Sequence, residues 1–240
     1  MKHFPNAVTL MNLFLGAVAM VLAILGQPHY AAVLIGICAV LDFADGLLAR
    51  ILNARSELGQ QLDSLADLVS FGMAPAGILF HYLQQAVQTI NPPALQNVLP
   101  FAAFFLAVFA GLRLAIFNID TRQTSGFIGL PTPANAAFFA SMPFVLAFAN
   151  RQGIILRTVE AITQSWPWLL IFLALFSYLM VSPIPMFSLK IKNFQWKENR
   201  VRYIFIGLIL LSLLIFGLQA VALIVIFYLI LSLLFAAQTR

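Results

Sequence analysis

The chain has 240 residues, 62% of them apolar and 9% charged, with a formal net charge of +5. Soluble domains carry about 25% charged and about 45–50% apolar residues, so the composition excludes an ordinary soluble enzyme, a disordered chain and a nucleic-acid binder. The basic excess matches the lysines and arginines that flank membrane spans on the cytoplasmic side.

A bilayer-crossing helix needs roughly 20 mostly apolar residues. Taken in chain order, such runs lie at 5–26, 30–52, 61–84, 97–118, 132–150, 166–187, 202–217 and 219–237. The last two need a separate argument, because Tyr203 to Gln238 contains no charged residue. One helix of about 36 residues would run roughly 54 Å, well beyond a ~30 Å hydrocarbon core, so the sequence predicts a tight hairpin near Gly217–Gln219. The expected fold is therefore all-α: one polytopic membrane bundle of eight spans, residues 1–240, with no soluble domain. Within it we distinguish a helical hairpin (30–84), a following segment (97–140) and C-terminal helices (166–237). Ala17-Val18-Ala19 looks like a signal-peptidase site, but the apolar run continues to Leu25, so the first helix is expected to be retained.

Placing the N-terminus inside puts Lys2, Arg50, Arg55, Arg113, Arg122, Lys190, Lys192, Lys197, Arg200, Arg202 and Arg240 on the cytoplasmic side. Only Arg151 and Arg157 fall outside, a split of 11 to 2. Both termini are thus expected in the cytoplasm. The basic run 190–202 reads as a topology anchor, or as an attractor for anionic lipid head groups. The single cysteine, Cys38, permits no intrachain disulfide and no cysteine metal cluster.

Five of the eight acids lie between 42 and 67: Asp42, Asp45, Glu57, Asp63 and Asp67. A carboxylate at the centre of a span costs about 2.5–3.5 kcal/mol on insertion scales, less near an interface, so four aspartates in two spans demand compensation. Asp42 and Asp45 are spaced i, i+3 and Asp63 and Asp67 i, i+4, so each pair projects from one helix face. The short connection 53–60 makes the two helices antiparallel neighbours, and the pairs converge. Four carboxylates without nearby His or Cys form an all-oxygen site suited to Mg²⁺ or Mn²⁺. Gly46, Ala49 and Gly59 leave room for a bulky ligand, and Arg50 and Ser56 suit phosphate. Two competing roles exist for the acids. Interhelical ion pairing would leave four acids against three bases of similar depth, Arg50, Arg55 and Arg113. An ion pathway in a carboxylate-dependent cation transporter would spread them across the midplane.

The segment Asp42-Phe-Ala-Asp45-Gly46-Leu-Leu-Ala49-Arg50, eight further residues, then Gly59-Gln-Gln-Leu-Asp63-Ser-Leu-Ala-Asp67 resembles the CDP-alcohol phosphotransferase motif D-x2-D-G-x2-A-R-x8-G-x3-D-x3-D at all its fixed positions. The resemblance implies a membrane enzyme that passes the phosphatidyl group of a CDP-linked lipid to an alcohol and releases CMP. It implies Asp42, Asp45, Asp63 and Asp67 as ligands of a divalent metal, with Asp67 also the candidate general base. Gly46, Ala49, Arg50, Ser56 and Gly59 would contact the nucleotide and its phosphates. Pro5-Asn6-x-x-Thr9 is similar to the family's N-terminal stretch and adds Asn6 and Thr9 to that set.

The segments 67–76, 111–118 and 127–135 look like those of the bacterial members that use L-serine, although Ile116 stands where those commonly carry a second arginine. The substrates implied are CDP-diacylglycerol and L-serine, with glycerol 3-phosphate, inositol or its phosphate, or choline as alternative acceptors. Arg113 suits the serine carboxylate or a lipid phosphate. Arg122, in the polar loop 119–132, and Asn135 complete the expected acceptor side. A homodimer in the cell inner membrane, its active site facing the cytoplasm, is expected by resemblance.

Overall fold

The computed structural model describes residues 4–54, 56–120, 127–149, 153–187 and 195–235. Lys2, Arg55, Arg122, Arg151, Lys190, Lys192 and Arg240 lie outside the described residues, as does the side chain of Lys197. The fold is all-α. Its helices are α1 (Phe4–Ile24), α2 (Pro28–Ile51), α3 (Glu57–Ala86), α4 (Pro93–Ile119), α5 (Thr132–Phe148), α6 (Ile154–Thr163), α7 (Trp166–Val181), α8 (Trp196–Phe216) and α9 (Val221–Leu234). Two residues at each of two loops, β1 (Phe127–Ile128) and β2 (Pro185–Met186), pair antiparallel.

Proline starts many of these helices. Pro28, Pro93, Pro133 and Pro167 occupy first-turn positions, where the missing N–H is not needed and φ is already helical. The expected span 166–187 stops early, at Val181. Pro183 disfavours helix for the residue before it, and Pro185 lacks an N–H as well, so 182–187 runs extended and supplies β2. The short amphipathic α6 was not expected. It buries Leu156, Val159 and Thr163, exposes Arg157 and Glu160, and meets α7 at 93°.

Among the described residues, five helical runs are long and apolar enough to cross a membrane, or six if α6 and α7 form one bent span. One of the five, Asn199–Leu234, has 36 residues, and it is folded on itself. Gly217 ends α8 with φ 56°, and the rings of Phe205 and Tyr228 lie 6.1 Å apart. In a straight helix those two residues would be separated by roughly 34 Å. The hairpin expected from length alone is therefore present. With α5, a shorter apolar helix, the eight expected apolar passes all find a helix.

Their ends alternate. Thr9 of α1 meets Asp45 of α2, Asn118 of α4 meets Ser64 of α3, Arg113 meets Thr132 at the start of α5, and Tyr228 of α9 meets Phe187. All of these contacts lie at one end of the bundle. At the other end the Leu156 N–H donates to Gln219 Oε1 across 3.3 Å. The protein core runs between the two ends, with Phe71, Phe139 and Phe176 fully buried. Phe138 stacks on Phe176 at 4.0 Å. Outward positions are large and apolar, among them Phe14, Val40, Phe43, Phe101 and Leu214, as expected of helices solvated by lipid.

This alternation has a direct test. Single cysteines at Glu57, at the aspartate-bearing end, and at Leu218, in the α8–α9 turn, should react with a membrane-impermeant maleimide from opposite sides of sealed vesicles, in a Cys38→Ala background. Labelling of both from the same side would contradict the fold.

Candidate active site

Helices α1, α2 and α3 meet where the acids lie. Asp42 and Asp45 occupy the last turns of α2, and Asp63 and Asp67 the first turns of α3. One carboxylate oxygen each from Asp42, Asp63 and Asp67 lies within 4.8 Å of the others, a donor set able to hold a metal ion. Asp45 stands outside that triangle. It is 4% exposed, and its Oδ2 accepts the Thr9 hydroxyl at 2.6 Å, although it remains near enough to Asp63 to interact electrostatically. Three of the four expected ligands thus converge, and the fourth is held by α1.

The local sequence explains the convergence. Ser56 caps α3 by accepting the Gly59 N–H at 3.0 Å, which fixes where the helix starts. A Cβ on Gly59 would sit 3.1 Å from both Asn6 Oδ1 and Ser56 Oγ, so its absence lets α1 approach the cap. Beyond Asp67 the helix widens into a π-helical turn, Leu68–Met73, a feature common at functional sites. Ser70 on that turn is fully buried and donates to Asn12, with Oγ 3.0 Å from the backbone oxygen and 2.8 Å from Oδ1. A Cβ on Gly16 would lie 2.7 Å from Ser70 Cα. Close helix packing and a buried hydrogen bond therefore lock the segment after Asp67 against α1.

A cleft of about 350 Å³ opens on the α1–α2–α3 side of the acids. Asn6, Thr9, Asp42, Asp45, Gly46, Ala49, Ser56, Gly59 and Asp63 all line it. Nothing lies within 4 Å of a Cβ built on Gly46, so that glycine leaves open space. The start of α3 also faces this cleft, and free N–H groups at a helix N-terminus favour anions such as phosphate. Arg50, by contrast, is exposed at the end of α2 and does not form part of the cleft wall.

Arg113 lies on the far side of Asp67. It is 7% exposed, donates from Nη1 to Thr132 Oγ1 at 3.4 Å, and rests over the Phe117 ring at 5.1 Å. It also interacts electrostatically with Asp67. Asn135, one turn beyond Thr132, is fully buried, and neither of its side-chain polar atoms has a hydrogen-bond partner among the described residues. Asp67 Oδ1 is likewise buried and without a hydrogen-bond partner.

Sequence reasoning did not find Asn12 and Ser70 as a pair, Thr132 as the partner of Arg113, or any role for Tyr228. Asn12 follows Thr9 at helical spacing and Thr132 sits between two prolines, so each carries a weak signal. Tyr228, in a run of aliphatic residues, carries none.

The chain matches the family model of the CDP-alcohol phosphatidyltransferases over residues 2–176. It is 31% identical over 212 residues to a CDP-diacylglycerol–serine O-phosphatidyltransferase of Helicobacter pylori, covering 88% of this chain and 80% of that protein. The protein of that name from Bacillus subtilis is 34% identical over 156 residues, 65% of this chain and 81% of the relative. The one from Saccharomyces cerevisiae is 35% identical over 175 residues, 65% of this chain, which spans 58% of that longer relative. The chain belongs to the CDP-alcohol phosphatidyltransferase family.

Two glycines on this frame should respond differently to substitution. Gly16→Leu must displace Ser70 and should cost about 1–3 kcal/mol, read as a lower thermal midpoint in detergent. Gly46→Leu has open space and should leave the midpoint close to that of the parent.

Proposed function

From membership of this family, we propose that the chain transfers the phosphatidyl group of CDP-diacylglycerol to L-serine and releases CMP. The observation that carries this reading is the convergence of Asp42, Asp63 and Asp67, the first two on the wall of a cleft that a helix N-terminus also faces. The names of the relatives support serine as acceptor. We take residues 30–84 as the catalytic hairpin and 97–140 as the acceptor side of one membrane domain. The homodimer rests on the resemblance.

The donor set fits a hard divalent ion. All its atoms are carboxylate oxygens, and Asp67 Oδ1 is a buried acceptor with no hydrogen-bond donor, an arrangement that Mg²⁺ or Mn²⁺ satisfies. Asp42, Asp63 and Asp67 would hold the ion, with Asp45 added when its carboxylate turns from Thr9. When bound, it neutralises charge on the pyrophosphate.

The protein groups divide the remaining work. Asn6, Thr9, Gly46, Ala49, Ser56 and Gly59 hold the cytidine diphosphate moiety, and Arg50, exposed at the end of α2, draws in its charged group from outside the cleft. Arg113 holds the serine carboxylate. Asp67 accepts the proton of the serine hydroxyl as the Oγ–P bond forms and the P–O bond to CMP breaks, as a general base within reach of a hydroxyl can. The acids sit at the bundle end that also holds Arg50, Arg200 and Arg202, and by the positive-inside rule this basic end supports a site that faces the cytoplasm from the cell membrane.

Purified protein given CDP-diacylglycerol and Mn²⁺ should release CMP with L-serine and not with glycerol 3-phosphate or inositol, measured separately. Product from either of the latter alone would move the chain to a sister activity, and full activity in excess EDTA would remove the metal. Asp67→Asn should lower the rate at saturating substrates by roughly 10²–10⁴-fold and retain CDP-diacylglycerol binding. Near-parental turnover in that variant would exclude Asp67 as the base.

A further inference from the structure

A cavity of about 600 Å³ lies beneath α6, between α5, α7 and α9. Its wall is apolar apart from the hydroxyls of Ser141 and Thr158. Both donate within their own helices, Ser141 to Phe138 O at 2.6 Å and Thr158 to Ile154 O at 2.9 Å. A buried water needs roughly two to four polar partners, so this space is dry. On α9 the lining runs from Ala222 to Leu233, about 16.5 Å along the axis. That is about the depth of one leaflet, half of a ~30 Å hydrocarbon core. At about 30 Å³ per water-sized group, the volume takes on the order of 20 such groups, close to one fatty acyl chain. Leu175 of α7 and Ile226 and Ile230 of α9 line the cavity and are also exposed, so it opens sideways to lipid.

The roof, α6, has three faces. Leu156, Val159 and Thr163 are buried against the protein. Ile155 and Ile162, seven residues apart, share a second face and line the cavity. Arg157 and Glu160 are exposed and stand roughly 140–200° around the helix from those isoleucines. The bend of 93° into α7 is followed by the exposed Trp166 and Trp168, a residue type that collects at the membrane–water boundary. α6 therefore lies along that boundary as an interfacial amphipathic helix. Its isoleucines face hydrocarbon, and its one cation and one carboxylate face the head groups. Those two charges are spaced i, i+3, so they are neighbours on the helix surface.

We propose that α6 and the cavity beneath it bind a structural phospholipid with a zwitterionic amino head group: one acyl chain fills the cavity, the phosphate meets Arg157 and the ammonium meets Glu160. An empty apolar void forfeits dispersion contacts, and lipid tails are the apolar matter available at this depth. A cation beside a carboxylate complements a phosphate beside an ammonium, whereas a purely anionic head would face Glu160 with nothing to offset the repulsion. The acids and their cleft lie at the other end of the bundle from α6, so this lipid comes from the opposite leaflet and is distinct from the phosphatidyl donor. The proposal does not depend on which alcohol the chain uses.

Native mass spectrometry of the full chain in detergent tests this, with phosphatidylethanolamine, phosphatidylglycerol and CDP-diacylglycerol titrated separately and in competition. One phosphatidylethanolamine should bind per chain, about tenfold or more tighter than phosphatidylglycerol. Arg157→Gln, at an exposed position, should weaken phosphatidylethanolamine binding by about tenfold or more, and Glu160→Gln should remove the preference over phosphatidylglycerol. Ile226→Trp narrows the opening to lipid and should abolish binding; Ala222→Leu, a milder filling of the same cavity, serves if the tryptophan variant does not fold. CDP-diacylglycerol should bind alongside phosphatidylethanolamine without displacing it. Absence of a stoichiometric phosphatidylethanolamine, equal binding of phosphatidylglycerol, or unchanged binding in Arg157→Gln would each overturn the proposal. Displacement by CDP-diacylglycerol would overturn it too, by making the cavity part of the donor's own path.

Discussion

Like charges crowded inside an apolar bundle are the constraint around which the rest of this structure is arranged. Ionised carboxylates whose oxygens lie within 4.8 Å of one another repel by roughly 3 kcal/mol per pair or more at an effective dielectric constant near 20. Lipid and aliphatic side chains offer nothing to offset this. The surrounding chain answers with a hydroxyl on Asp45, a helix N-terminus opening on the same cleft as Asp63 and a buried guanidinium near Asp67. Each comes from a different helix, so the three elements that begin or end at this point are held there by the charge they answer.

The same requirement gives the site two sides. The α1–α2–α3 wall is made of small residues and short polar groups, which admit a large polyanionic head. The α4 side presents the buried guanidinium of Arg113. Asp67 stands between them, and the π-helical turn that follows it is fixed by Ser70 and Asn12. The base proposed at Asp67 gains from a backbone that cannot shift, because misplacement by about 1 Å can cost on the order of 10²-fold in rate.

Much of this is legible in the residues. Eight apolar runs separated by turns and charges gave the passes, because lipid allows few alternatives to a helix, and the hairpin at Gly217 followed from length alone. The spacing of the aspartates put each pair on one helix face. What the sequence could not reveal depends on contacts between distant segments. Asp45 was grouped with the other acids by spacing, yet Thr9, 36 residues away, draws it aside. Arg50 shares the motif but faces outward at a helix end, where its long side chain is free of the cleft. The early stop of α7 at Ser182-Pro183 could be read from proline chemistry. That the freed segment would pair with 127–128 could not, since two-residue ribbons have no periodicity.

The fold at Gly217 also bears on how the protein is assembled. The 36-residue run it divides carries no charge after Arg202, so nothing between the two arms tells an insertion apparatus which way the second should point. The uncharged arms suit entry as one helical hairpin, with Arg200 and Arg202 at its base. Gln219 at its tip is buried, 6% exposed, and its carbonyl accepts from the first turn of α6, so crossing with that amide unpaired is costly. Docking against α6, which emerges earlier from the ribosome, closes the tip. The same docking carries Tyr228 to Phe187 and close to Arg113, so the hairpin's arrival is felt at the other end of the bundle.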